Sequence, residues 1–403
     1  MPDKVLLLGS SSKLNPFALK ARQLGLTPIL AARSKKTSNP KPGDNADADY
    51  RWDSAELLDF AKRNDVAGIL PAHAEIVSIA TTVASELGLP AISEFATQNL
   101  THKLRQRNVL AEANIKIPRF RGVESIPEIE GAAREFGLPV MVKPADAQGC
   151  RGVRLVDYTE DLPLAFWRAS RCSPSKTVLI EEFIQGREYE TYFLLSQGRP
   201  IFRCVARWTR ADPPYCHAVG RILPRQCELE NPGQLYEPGQ RAIEAMRVDL
   251  GLARVAMVVN ADQVWITDVG LVMPDRSEVI GQLFSLAFDL DVVEALVRLA
   301  VGAVPGVPTA MRQAAAISWL DARSGVVRAL QGVAAARSLP GVHAVHLAVT
   351  LGDILGHVVD EFTRDQLGYV VACGESGEAA RQIASQAKNA IQIVTRPTLE
   401  EIG

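Results

Sequence analysis

Net charge and paired cysteines are both scarce in this chain. The formal net charge is −2 over 403 residues, so no overall field draws it to nucleic acid or to an anionic membrane. Six cysteines, Cys150, Cys172, Cys204, Cys216, Cys227 and Cys373, include no C-x-x-C pair. That spacing argues against a zinc site or a disulfide framework and points to a reducing cytoplasm. The first apolar run, Val5–Leu8, is too short to cross a membrane and carries no signal-peptide cleavage pattern, so it reads as a buried parallel strand. Internal repeats and low-complexity tracts are absent. The turn Gly9-Ser10-Ser11-Ser12 lacks the full dinucleotide fingerprint, which favours a tight strand-to-helix turn over a phosphate site.

What is present is ordinary in bulk and specific in places. An apolar fraction of 47% and a charged fraction of 22% suit a soluble globular protein, and the length implies about two to four structural units. Strand-like runs at Val5–Leu8, Ile29–Ala32 and Val66–Leu70 alternate with helical stretches at Pro16–Leu24 and Glu75–Leu87. This βαβ alternation predicts a parallel sheet with helices on both faces. Thr37–Asp49, rich in Pro, Gly, Asn and Asp, reads as an exposed loop. Thr101–Ala113 is a helix candidate, and Val292–Val301 carries a helical apolar stripe that reads as core packing. After a Gly/Pro linker at 302–308, the strands Ala316–Leu320, Val345–Val349 and Gly368–Ala372 and the helix Glu378–Asn389 outline a small α/β unit.

The chemistry concentrates in two segments. Leu138-Pro139-Val140-Met141-Val142-Lys143-Pro144 is an apolar strand ending in a lysine, and the loop Gln148-Gly149-Cys150-Arg151-Gly152 follows it. A strand-end lysine aims one positive charge from a rigid element, and glycines let backbone N–H groups approach phosphate oxygens. The second segment, Val178–Ile184, is a strand running into a hinge, with Gly186 and Glu188 beyond. Adenine needs a backbone donor and acceptor beside an apolar slot, and Glu188 is placed to accept from ribose hydroxyls. Taken singly, each part is more often an ordinary strand end, loop or solvated charge. Their order along the chain makes an ATP site the better reading. Arg203, Arg207, Arg210, His217 and Arg221 form a basic series that suits either a solvated face or the binding of phosphate or carboxylate.

On these residues the chain resembles the ATP-grasp superfamily, and within it the amino acid and dipeptide ligases. The resemblance implies an α/β ATP-grasp fold with an N-terminal α/β domain (1–98), a two-lobed ATP-grasp domain (99–307) and a small C-terminal α/β unit (308–403). It implies that Lys103, in Thr101-His102-Lys103, and Lys143 hold phosphates, with Gln148, Gly149 and Gly152 in the phosphate loop. Glu181, Phe183, Ile184 and Glu188 would form the adenine and ribose hinge. The implied cofactors are ATP and Mg2+, and the implied partners are a small-molecule carboxylate and an amine. Family members often dimerise, so the resemblance also allows a homodimer. The implied reaction phosphorylates the carboxylate to an acylphosphate, which the amine then attacks.

The chain departs from that pattern at the metal-binding strands. Arg254–Val259 contains no acid. In Val264–Val272, Asp268 stands for the family's metal-binding glutamate, while Gly270 falls where asparagine is expected and Val272 where arginine is expected. Asp275 and Arg276, in the polar stretch Met273–Glu278, restore catalytic groups if that stretch is a loop folding back on the site. Two functions follow: an ATP-dependent carboxylate–amine ligase, or a degenerate relative that binds nucleotide or a partner without efficient ligation.

Overall fold

The computed structural model describes residues 3–9, 11–31, 53–261 and 263–397, and for residues 11–13 and 275–278 it describes the backbone alone. The loop expected over Thr37–Asp49 lies outside the described residues. The N-terminal strands form a parallel sheet in the order Thr27–Ala31, Lys4–Leu8, Val66–Pro71. Central Lys4–Leu8 is fully buried from Val5 onward, as an unbroken apolar run requires when both faces are covered. One face packs against the helices Ser11–Gln23 and Val292–Ala300, the latter directly against Gly68. The other packs against the helix Val77–Glu86, which follows a short 3-10 turn at Ala74–Ile76.

Two antiparallel sheets build the middle of the chain. The smaller runs in the order Phe120–Val123, Val178–Glu182, Val140–Pro144, Arg154–Val156. The helices Ile126–Phe136 and Leu162–Cys172 cover one of its faces through Ile129, Ala132, Leu162 and Ala165. The larger sheet has eight strands in the order Gln263–Leu271, Gly251–Asn260, Arg187–Ser196, Arg199–Arg210, Ala218–Leu223, Ala314–Trp319, Gly368–Gly374, Val342–Leu347.

Its last three strands come from the C-terminal region, so one sheet runs across the division proposed at 307. That region also has a core of its own around Leu320, Val327, Val345 and Leu367. It holds a further small sheet, Ile354–Leu355, Gly325–Gln331 and Gln392–Arg396, that the sequence reading did not anticipate. A second difference concerns Met273–Glu278. It is no folded-back loop: the helix Pro274–Phe288 starts there, with proline in the first turn, where a missing N–H leaves no bond unmade. Among the described residues no helix is long and apolar enough to cross a membrane.

Candidate functional site

The two antiparallel sheets meet through Arg210, whose Nη1 lies 3.8 Å from Met141 Sδ, and strand alternation decides which side chains enter the cleft face between them. In Val140–Pro144, Val140 and Val142 are buried among the helices behind the sheet, which turns Met141 and Lys143 to the other face. In Val178–Glu182 the same alternation buries Val178 and Ile180 and turns Glu181 to the cleft face. The register sets Glu181 opposite Met141 and diagonal to Lys143. Lys143 Nζ pairs with Glu181 Oε2. Glu181 Oε1 accepts from Arg107 Nε at 2.5 Å. Arg107, fully buried on the helix Lys103–Glu112, also donates to the Thr267 carbonyl and to Gln106 Oε1. Burial alone would raise the Glu181 pKa, but Arg107 and Lys143 hold the carboxyl below its usual range. Glu181, expected at the adenine hinge, thus has both oxygens engaged in orienting Lys143 and Arg107.

Lys103 opens its helix beside the loop that follows Lys143. Its backbone N–H donates to the Ala145 carbonyl at 2.6 Å and its Nζ to the Ala147 carbonyl at 2.6 Å. Desolvation lowers its pKa, Asp268 partly offsets that, and neighbouring Lys143 adds to the lowering. Gly149 (φ 65°) and Gly152 (φ 70°) give the loop two left-handed turns, and a Cβ at Gly152 would lie 3.1 Å from atoms of Pro144 and Cys172. The Gln148 carbonyl accepts from Arg151 N at 3.4 Å, and the Gly149 carbonyl accepts from Glu361 N at 3.0 Å. The loop is therefore docked on the C-terminal helix Glu361–Asp365, where the Arg151 guanidinium lies 5.0 Å from the Phe362 ring centre.

Past Glu182 the chain leaves the small sheet through Phe183 and Ile184 and enters the large one at Arg187. Gly186 makes the crossing feasible, since a Cβ there would sit 2.3 Å from the Val259 carbonyl oxygen. Phe183 packs with Met141, Val153, Leu155 and Cys216 in an apolar cluster between the sheets, and Ile184 is buried. Glu188 Oε1 accepts from Arg210 Nη2. Its Oε2 is buried without a hydrogen-bond partner, and burial raises the pKa of this carboxyl despite Arg210. A buried, unanswered carboxylate oxygen beside an apolar cluster is a place that a hydroxyl donor would complete. Apolar cluster, unsatisfied acceptor, two lysines and glycine loop are brought together here.

Glu190 and the role of Arg254, on the neighbouring strands, were missed by sequence reasoning. Glu190 lies two residues beyond Glu188, on the same strand face, and is fully buried. Its Oε2 accepts from Tyr192 Oη at 2.6 Å and from Arg221 Nε at 2.9 Å, and its Oε1 from Arg254 Nη1 at 2.8 Å. Burial would raise its pKa, but Arg221 and Arg254 hold it at about 2. Arg254 Nη2 reaches Asp268 Oδ2 at 2.6 Å, so the expected metal ligand is in an ion pair. Arg254 was a readable signal, because it interrupts an otherwise apolar strand. Of the basic series, Arg210 and Arg221 enter these pairs. Arg203 instead stacks 4.5 Å from the Tyr236 ring centre, and His217 is buried with Nδ1 unpartnered.

Magnesium fits the described donors poorly. Among the described residues no group of three or more His, Cys, Asp or Glu converges as a metal site, and Glu181, Glu190 and Asp268 are each engaged by arginine or lysine. Asp275 and Arg276 fall in the first turn of Pro274–Phe288, and their side chains lie outside the described residues.

Residues 102–198, which carry both lysines, the loop and the hinge, match the family model of the carbamoyl-phosphate synthase L chain, ATP binding domain. Residues 318–396 match the model of L-amino acid ligase C-terminal domain 2. The chain is 29% identical over 412 residues to the uncharacterized protein y4rH of Sinorhizobium fredii, covering 96% of this chain and 82% of that one. It is 30% identical over 191 residues to a formate-dependent phosphoribosylglycinamide formyltransferase of Synechococcus sp., a match spanning 45% of this chain and 48% of the relative. The crystal structure of an L-amino acid ligase from Bacillus licheniformis superposes with a TM-score of 0.78 at 16% identity, over 98% of this chain and 99% of that one. At that identity the likeness is one of fold.

Proposed function

We propose, from the premise that this chain belongs to the ATP-grasp superfamily, that it is an ATP-dependent carboxylate–amine ligase acting on an amino acid or similar small molecule. The observation that carries the reading is the convergence of Lys103, Lys143 and the glycine loop near an apolar cluster around Phe183 and the unpartnered Glu188 Oε2. ATP supplies the phosphoryl group that turns a carboxylate into an acylphosphate, from which an amine displaces inorganic phosphate.

The protein's part is positioning and charge. Lys143, oriented by Glu181, and Lys103, tethered to the Ala147 carbonyl, hold the phosphates. Backbone N–H groups of the loop around Gln148, Gly149 and Gly152 approach the phosphate oxygens. Phe183 and Ile184 border adenine, and Glu188 accepts from ribose. Lys103 suits this role, because the desolvation that lowers its pKa is offset by the opposite charge of an arriving polyanion. Asp275 and Arg276, which fall in the first turn of the helix Pro274–Phe288 and not in a folded-back loop, are the proposed catalytic groups, and ATP-driven chemistry on small metabolites suits the cytoplasm.

A coupled assay of ADP release over pooled carboxylates and amines tests the reading. ADP release should require both substrates. Lys143→Ala should lower kcat/KM by about a hundredfold or more, as loss of one charge-stabilising donor does elsewhere. Arg276→Ala should lower kcat more than it weakens nucleotide binding. Nucleotide binding without amine-dependent ADP release would instead assign a binding module that does not ligate.

A further inference from the structure

Arg254 sits where a divalent cation would be sought. It lies on Gly251–Asn260, the strand that offers no acid, and its guanidinium is held between two carboxylates. One is Glu190 Oε1, at 2.8 Å, on the strand that also carries Glu188. The other is Asp268 Oδ2, at 2.6 Å, on the strand beyond. An ion bridging these carboxylates would have to displace a charge already present. The Glu190 carboxylate is further occupied by Arg221, at 2.9 Å to Oε2, and by Tyr192, at 2.6 Å.

The neighbouring strand is shaped to admit this side chain. Gly270 is the cross-strand partner of Arg254, and a Cβ built there would lie 3.8 Å from Arg254 Nη2. A Cβ alone would fit at that distance, whereas any longer side chain would compete for the volume the guanidinium fills. The acid-free strand and the small residue opposite it are thus one feature.

The guanidinium is also joined to the glycine loop: Arg221, which shares Glu190 with it, lies 4.0 Å from the Glu361 carboxylate, and Glu361 N donates to the Gly149 carbonyl at 3.0 Å. The Arg254 side chain is 27% exposed, and that of Asp268 is 30% exposed, although Glu190 beneath them is buried. The Asp268 charge acts on Lys103, and the Arg254 charge acts on Cys150 of the glycine loop. A guanidinium has five N–H donors in a planar fork that matches phosphate oxygens, and two of them serve these carboxylates. It carries its charge at every working pH.

We propose that Arg254 is a phosphate-binding residue that takes the place of a divalent cation, so that nucleotide binding to this protein is independent of Mg2+. The inference rests on the nucleotide-binding reading above and specifies how that site neutralises phosphate.

Calorimetric titration with ATP, once in EDTA and once in excess Mg2+, tests it on the unmodified chain. The expected result is a Kd in EDTA within about threefold of that in Mg2+, a difference well under 1 kcal/mol. Arg254→Ala, checked for native circular dichroism, should weaken binding in EDTA by about tenfold or more, the effect of losing a charge-assisted hydrogen bond. Should that variant not fold, Arg254→Lys keeps the charge without the fork, and its affinity in EDTA should fall between wild type and no binding. An affinity that drops about a hundredfold on chelation overturns the inference and leaves the nucleotide site standing. Unchanged affinity of a folded Arg254 variant in EDTA overturns it equally. Absence of ATP binding in both media removes the nucleotide site itself and the inference with it.

Discussion

The two ends of the cleft's charged floor are built differently. At the Lys143 end two cations, Arg107 and Lys143, share the single carboxylate of Glu181, and Lys103 adds a further positive charge nearby. At the Arg254 end three cations, Arg221, Arg254 and Arg364, share three carboxylates, Glu190, Asp268 and Glu361. The first end is left with an excess of positive charge, while the second is internally balanced. Desolvation lowers the Lys103 pKa, Asp268 partly offsets that, and the neighbouring positive charges of Lys143 and Arg107 add to the lowering. Such an arrangement is favourable once an anion completes it. The Arg254 end has no such deficit, so the Lys143 end reads as the main polyanion receptor and Arg254, partly exposed beside Asp268, as the added phosphate contact proposed above.

The comparison breaks most sharply at Glu181. Glu181→Ala would leave Arg107, which is fully buried, without its carboxylate, and would free Lys143 from its orienting partner. Removing one member of a buried pair typically costs about 3–5 kcal/mol, and urea unfolding should show a loss of that size. Lys143→Ala should be far milder, because Glu181 keeps Arg107. A loss below about 1 kcal/mol in Glu181→Ala would mean that the pair does not anchor the helix Lys103–Glu112, and that the unequal charge count has no energetic meaning.

The balanced end is tested by pH. Glu190 is held at about 2, below its ordinary 4.5, because Arg221 and Arg254 outweigh the effect of burial. A carboxyl whose pKa is depressed by folding stabilises fully above its unfolded value and loses that contribution as pH falls through the folded one. Stability from this group should therefore be present above about pH 4.5 and disappear toward about pH 2, a span worth about 3 kcal/mol. Wild type should exceed Glu190→Gln at neutral pH, and the gap should narrow across that window. A gap that stays constant from pH 6 to pH 3 would mean that Glu190 is not held charged by the two arginines.

These two ends differed in how far they could be read beforehand. The ATP-grasp architecture was legible, because an apolar strand closing in Lys143-Pro144 and a glycine loop are local patterns. The stripe of Val292, Leu296 and Leu299 was legible for the same reason: its helical period survives in sequence, and all three residues are buried. The bond between Arg107 and Glu181 joins residues 74 positions apart, and no local pattern carries such a pairing. The strands Gly325–Gln331 and Gln392–Arg396 escaped because the first buries only Gly325 and Val327 and the second alternates exposed with half-buried residues, so neither carries a strong apolar face. Met273–Glu278 was misread because its charges outweighed Pro274, whose place in a first helical turn was the better signal.

The smallest effect concerns what joins the two ends. The helix Glu361–Asp365 touches both, since its Glu361 N–H donates to the Gly149 carbonyl at 3.0 Å while the Glu361 carboxylate lies 4.0 Å from Arg221. Arg151, resting on the Phe362 ring, strengthens the loop side of this junction. A cation–π contact at a partly exposed site contributes about 0.5–1 kcal/mol, so Arg151→Ala should barely move global unfolding. Its effect should be local: faster amide hydrogen exchange in the loop from Gly149 to Val153, with exchange around Glu190 unchanged, because that carboxylate is held by its own arginines. Faster exchange at both places would show instead that the two ends open together, and that their different charge balance does not make them separate units.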